Sequence, residues 1–217
     1  GTRFSTTLSY RDVVRAYLPT PGIVATDIQS QLADIGVEVE VQVMESGAFL
    51  DAALAGELPM VLLGWSMDYP DATNFLDTHF GAGASLQFGD HDPAIYEPMA
   101  LGAQGATPEE RYPYYLEANT QIRDLAPMVP LAHGGSGVAY QADIEGAHAQ
   151  GVGQESLAVM EDPDDDNIIF MQNAEPISLY CNDESDGETF RVCEQIFESL
   201  LDYQIGSGEI IPALAES

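Results

Sequence analysis

The chain has 217 residues with 45% hydrophobic content, enough apolar mass for a real core in one domain or a domain with an appendage. Six arginines and no lysine face 36 acidic residues, and the formal charge of −30 excludes nucleic-acid phosphates and anionic membrane surfaces as partners. Acidity of this kind ordinarily serves solubility in a salty or extracellular setting.

Residues 5–10 and 37–43 (VEVEVQV) alternate or cluster β-branched residues as strands do. Between them ATDIQSQLADIG (25–36) carries Ile28, Leu32 and Ile35 at helical spacing, and Gly36 stands in the C′ position that closes a helix. A second helix is predicted over SGAFLDAALAGE (46–57), with Phe49, Ala53 and Leu54 on one face, and it feeds a buried strand over MVLLGW (60–65). Strand, helix, strand, helix, strand predicts an α/β layer with parallel neighbours. At the mouth of the last strand the only tryptophan, Trp65, stands beside Asp68, Tyr69 and Asp71. An indole next to carboxylates suits a cleft that holds something partly apolar and partly cationic. The alternative is that Trp65 fills core and Asp68 caps the following helix.

ATPEERYPYYLEANTQIRDLAP (106–127) opens with Thr107 as N-cap, Pro108 at the first helical position and Glu110 three residues after the cap, a capping box. Pro113 is expected near the first turn of that helix and Pro127 ends it. MVPLA (128–132) reads as extended, 133–153 is Gly-rich with scattered histidines, and EDPDDDN (161–167) is the best candidate linker. Beyond it NIIFMQ (167–172) reads as a strand and 173–187 as a loop. Ser185 with Glu188 forms a capping box for a helix whose Phe190, Cys193, Ile196, Phe197, Leu200 and Leu201 make one apolar stripe, which a partner surface must bury. LDYQIGSGEIIPALAES (201–217) reads as a hairpin turning at Gly206, Ser207 and Gly208, without the further strands of an independent domain.

Several constellations have bland readings. Tyr17, Pro19 and Pro21 precede a helix and could help hold an anion, but a plain capping loop accounts for them better. His79, His91, His133 and His148 lack metal-ligand spacing, and no metal or cofactor is expected. Asn182, Glu184, Asp186 and Gly187 resemble the start of a calcium loop whose twelfth position is Cys193 instead of glutamate, so helix capping is the better account. Ser136 in HGGSG has no nucleophile-elbow pattern, and carboxylate pairs carry little information in so acidic a chain; no enzyme is predicted. Cys181 and Cys193 are either a single bridge or two buried thiols, and an export compartment favours the bridge. No run reaches the roughly 20 apolar residues of a membrane span, so no membrane insertion is expected. A chain that opens on Gly1 is expected to be processed or cut from something longer.

The stretch from Ile28 to Gly81, with its core GW-x-x-DY-x-D-x-x-NF (64–75), resembles the second lobe of the family 5 extracellular solute-binding proteins. These are the oligopeptide-, dipeptide- and nickel-binding receptors of ABC importers, and the resemblance runs over most of residues 5–160. It implies an α/β, three-layer-like lobe of a periplasmic-binding-protein type II fold. The family pattern implies Asp68 as the residue that receives the ligand's α-amino group; on that footing Trp65 is expected to cover apolar ligand surface, with Tyr69 and Asn74 on the cleft side. Each contact is worth roughly 1–3 kcal/mol in a desolvated cleft. Residues 175–217 resemble the segment that begins the mature proteins of this family, so the family order is inverted, as in a permuted, tandem or fragmentary receptor. The implied division is 1–160 second lobe, 161–167 acidic linker and 168–217 an appended strand-helix-hairpin segment from the other lobe.

The expected function is therefore the substrate-binding component, as a fragment or permuted form, of an ABC importer for small peptides or related amine-bearing solutes. An extracellular or periplasmic setting and an ABC permease partner follow from the resemblance. The alternative is a self-assembling extracellular structural protein, a filament or ring in which 168–217 docks on a neighbouring copy. Folding of the tail back onto its own lobe competes with that docking.

Overall fold

Strand β1 (Phe4–Arg11) is the middle of a three-stranded parallel sheet in the order β2-β1-β3. It pairs with β2 (Val37–Met44) along its whole length, from Phe4 against Val37 to Arg11 against Met44, and with β3 (Met60–Val61) at Leu8 and Ser9. The structure is a computed structural model that describes residues 1–135, 137–172, 175–176, 178–182 and 187–216. The chain divides into two compact units, the first comprising Gly1–Met67 with Asp71–Ser136 and the second Asp68–Pro70 with Gly137–Ser217.

In the first unit α1 (Pro21–Asp34) carries the chain from β1 to β2, and α2 (Ser46–Leu54) carries it back past β1 to β3. Right-handed crossovers in opposite directions put these helices on opposite faces of the sheet. Leu8, Tyr10, Val37, Val39 and Leu62 bury with Ala25 of α1, and Ile28 and Leu32 pack against them. Glu38 and Glu40 point the other way and stay exposed, the alternation of a half-buried edge strand. From the opposite face of β1, Arg11 donates 3.0 Å to Ser46 Oγ at the start of α2. The parallel βαβαβ layer expected from periodicity is present, and Gly36 ends α1 at a positive φ of 84° that its missing Cβ permits.

Three boundaries differ from expectation. Helix α1 begins at Pro21, before the first periodic residue, because proline at the first position tolerates the lost amide. Helix α2 stops at Leu54. The strand expected over 60–65 pairs only at Met60–Val61, with one more bond from Leu62 N to Ser9 O at 3.0 Å. Just beyond that bond the Tyr17 ring lies over Gly64, where any Cβ would come within 2.4 Å of it.

Helices α3 (Ala72–Phe80), α4 (Pro93–Gly102) and α5 (Pro108–Leu125) complete the unit around a second core of Phe80, Ile95, Met99, Tyr115 and Ala118. The box at the start of α5 is present: Thr107 Oγ1 accepts from Glu110 N at 3.3 Å. Its return arm differs, since the Glu110 carboxylate takes the amide of Ala106, one residue before the cap, at 2.9 Å. Pro113 is the sixth residue of the helix and so sits in the second turn, where it forfeits one ladder bond. Asp71 caps α3, accepting from Thr73 N at 2.9 Å and Thr73 Oγ1 at 2.8 Å. The same carboxylate receives both terminal nitrogens of Arg111 from α5, at 2.5 and 2.7 Å. That bidentate pair holds the Asp71 carboxyl well below the usual carboxylate range, against the opposing effect of burial.

In the second unit α6 (Gly187–Ile196) precedes an antiparallel hairpin of β4 (Leu201–Tyr203) and β5 (Ile210–Pro212). The hairpin turns through Gly206 as expected, closed by Gln204 N to Glu209 O at 2.8 Å. Helix α6 rests on the same chain: Arg191 pairs with the buried Glu155, Gln154 N donates to Glu194 at 2.8 Å, and Leu157 N donates to Gln195 Oε1 at 2.8 Å. Cys181 and Cys193 form a disulfide, which resolves the two readings of this pair.

Two expectations for the tail are corrected. Residues 167–172 form no strand; Ile169 is 91% and Met171 87% exposed, and Phe170 is engaged by the Arg191 guanidinium at 4.9 Å instead of by a sheet edge. The helix that carries the apolar stripe is shorter than expected: α6 ends at Ile196, so Phe197, Leu200 and Leu201 lie beyond it, and in this chain Cys193 is buried while Ile196, Phe197 and Leu200 are exposed. The Ser185 cap, most of the calcium-like loop (Glu184, Asp186) and Ser136 lie outside the described residues.

Two measurements test these anchors. A carboxyl depressed in the folded state contributes stability above its unfolded value of about 3.9 and loses it as pH falls through the folded value. Asp71→Asn should therefore cost about 1.5–3 kcal/mol at neutral pH, and urea denaturation should find its gap from wild type shrinking steadily below about pH 5. Arg191→Met strands the Glu155 carboxylate in the interior and should cost about 3–5 kcal/mol, while adding Glu155→Gln should restore most of it in the same assay.

Candidate functional site

The order β2-β1-β3 contains a switch point, because the chain leaves β1 toward β2 and later returns on the far side at β3. Open α/β sheets bind ligands outside the carboxyl ends of the strands flanking such a point. Here those ends send out the loop containing Tyr17, after β1, and the segment Leu62–Trp65, after β3, and the Tyr17 ring covers Gly64 between them.

Trp65 emerges from this edge and is 41% exposed. Its Nε1 donates to Asn74 Oδ1 at 3.1 Å, and its ring meets His79 edge to face, centroids 5.2 Å apart with an interplanar angle of 87°. Asn74 is 2% exposed on the inner side of α3. The His79 ring lies 5.5 Å from Phe88 and accepts at Nδ1 from Gln87 Nε2 at 2.9 Å. Burial pushes the His79 imidazole below its ordinary value, so the ring is neutral at pH 7. The core-filling alternative for Trp65 does not hold, and the cap of the following helix is Asp71 and not Asp68.

Asp68 and Tyr69 are exposed and belong to the second compact unit. Within that unit the Tyr203 phenol is pushed up by burial first, then by the charges of Glu194 and Asp68. Of the expected ligand residues, the fold joins Trp65 and Asn74 directly.

The depression before α1 is lined by Asp12 and Asp27 as well as Tyr10, Pro19 and Thr20, and Thr20 caps α1 without a side-chain bond. Two carboxylates disfavour an anion there, so the capping-loop account stands. No group of histidine, cysteine and carboxylate side chains that could hold a metal occurs among the described residues. His79 and Gln87 went unrecognised in the sequence as site residues. Their signal is weak, since His79 enters the site only through α3, and Gln87 only through the short 3-10 turn Leu86–Phe88.

Residues 6–87 match the profile of the bacterial extracellular solute-binding proteins, family 5, middle region. The chain is 32% identical to the dipeptide-binding protein of Escherichia coli over 134 residues, 60% of this chain and 25% of that protein. Among solved structures it superposes with a TM-score of 0.58 on the ABC transporter-associated periplasmic binding protein DppA of Helicobacter pylori, in complex with the peptide STSA. That match has 30% identity and covers 66% of this chain and 28% of the other. A dipeptide-binding protein of Pseudoalteromonas in complex with Met-Leu matches at a TM-score of 0.58 and 28% identity, over 73% of this chain and 32% of that one. The fold is thus the α/β type II fold of periplasmic binding proteins, and the chain spans about a quarter to a third of the length of these relatives. By profile over residues 6–87, and by superposition over 66% of its length, the chain is similar to the family 5 extracellular solute-binding proteins, a family of receptors and not of enzymes.

Proposed function

We propose that the chain is a ligand-binding portion, as a fragment or permuted form, of an extracellular or periplasmic receptor that delivers small peptides or related amine-bearing solutes to an ABC permease. The observation that carries this reading is the half-exposed Trp65, pinned by Asn74 at the carboxyl edge of the sheet. Trp65 offers an apolar, electron-rich face, and Asp68, three positions on, supplies the carboxylate for the ammonium. Tyr69 adds a second aromatic surface, while Asn74 acts by fixing the indole. The division into 1–160, 161–167 and 168–217 is part of the same proposal and concerns descent. The assembly alternative is not favoured, since α6 is anchored to residues 154–157 of its own chain.

The test is a calorimetric titration of the chain with a free dipeptide and with its N-acetylated form. The free dipeptide should bind no better than millimolar and the acetylated one more weakly still, with Asp68→Asn removing the difference. Micromolar affinity would overturn the half-site reading, and equal binding of the two peptides would overturn the role of Asp68.

A further inference from the structure

Nothing in the family resemblance assigns a role to His79, yet its ring is the surface against which Trp65 stands. The bond from Nε1 to Asn74 holds the far edge of the indole, and the ring of His79 packs against the indole at an interplanar angle of 87°. Helix α3 supplies both groups, so a single rigid element supports the indole's position and its plane. Gln87 Nε2 can only donate, so His79 Nδ1 must accept, and the imidazole in this arrangement is neutral with its hydrogen on Nε2. A second proton on Nδ1 would break the bond from Gln87 Nε2, require that amide to turn its oxygen to the ring, and put a cation in the desolvated space beside Phe88 and Phe80.

We infer that neutral His79 is the positioning residue for the Trp65 indole, and that protonating this ring releases the indole and weakens ligand binding. The binding half of this inference rests on the receptor reading above. The titratable groups sharing a cavity with His79 are Asp90, His91 and Asp92, from the segment between the 3-10 turn and α4. Burial among Trp65, Phe80 and Phe88 opposes the imidazolium and holds the ring below its ordinary value. The switch therefore operates on the acid side of 6.5.

Trp65 is the only tryptophan, so its emission and its indole N–H resonance report this contact without any ligand. Emission of the intact chain, followed from pH 8 to pH 4.5 while circular dichroism stays constant, should show one transition with a midpoint below 6.5. The indole N–H shift should move with the same midpoint. His79→Phe, which keeps an aromatic edge and cannot titrate, should abolish the transition, and His91→Gln should retain it. Dipeptide affinity should fall across the transition in wild type and stay level in His79→Phe. A transition that survives His79→Phe, or a wild-type indole resonance that does not move, overturns the inference, and the wild-type resonance decides it even if the variant fails to fold. Loss of the transition in His79→Phe, with no peptide bound at any pH, would leave the positioning role intact and remove the receptor reading instead.

Discussion

The carboxylate of Asp71 serves two helices at once, and the architecture around Trp65 depends on it. One oxygen closes the first turn of α3 through Thr73, and both oxygens receive the Arg111 guanidinium from α5. The start of α3 is thereby tied to the longest helix of its unit, and α3 then presents Asn74 and His79 to the indole. Arg111 also lies 5.3 Å from the Tyr115 ring centre, so the cation is stacked as well as paired. Asp77, one and a half turns further along α3, illustrates the competition for that cation. Asp71 holds it by bidentate geometry, while burial pushes the Asp77 carboxyl up and its Oδ2 finds no hydrogen-bond partner among the described residues.

A chain with six cations and 36 acids cannot neutralise its surface, and its arginines are placed accordingly. Arg111 in the first unit and Arg191 in the second each combine a carboxylate pair with an aromatic face in a partly buried setting. Exposed ion pairs contribute little, so scarce guanidinium groups have most effect where removing them would strand a carboxylate. The surface is left predominantly anionic, so copies of the chain repel one another at low ionic strength.

The parallel βαβαβ layer was legible because its evidence is local: valines alternating in β2, helical spacing in α1, and Gly36 at a left-handed stop. The short β3 was not, because the apolar run over 60–65 does not show where pairing stops, and the Tyr17 ring that covers Gly64 comes from more than forty residues earlier in the chain. Helix α3 was legible only as the helix following Asp68, without its bounds, and α4 was not legible, since it is short and Pro98 lies inside it. In the tail, apolar periodicity ran past the true end of α6, because periodicity reports spacing and cannot say where the helix stops. At the site, Trp65, Asp68, Tyr69 and Asn74 stood out as a compact motif. The support that orients the indole was invisible, because His79 and Gln87 meet only after α3 and the following 3-10 turn have formed.

The exposure of Trp65 and the limited span of the chain bear on each other energetically. Ordering a ligand on a protein costs about 4–15 kcal/mol in lost translational and rotational freedom and related terms. An aromatic face and one carboxylate return roughly 1–3 kcal/mol each, which barely offsets the low end of that range. Tight capture therefore needs additional surface to cover the outer face of the ligand and exclude water, raising the worth of the same two contacts by lowering the local dielectric. The relatives, of which this chain spans 25–32%, have the length to supply such a surface. What these 217 residues contribute on this reading is orientation: an indole whose edge and plane are fixed in advance, so that the ligand does not have to order it on arrival.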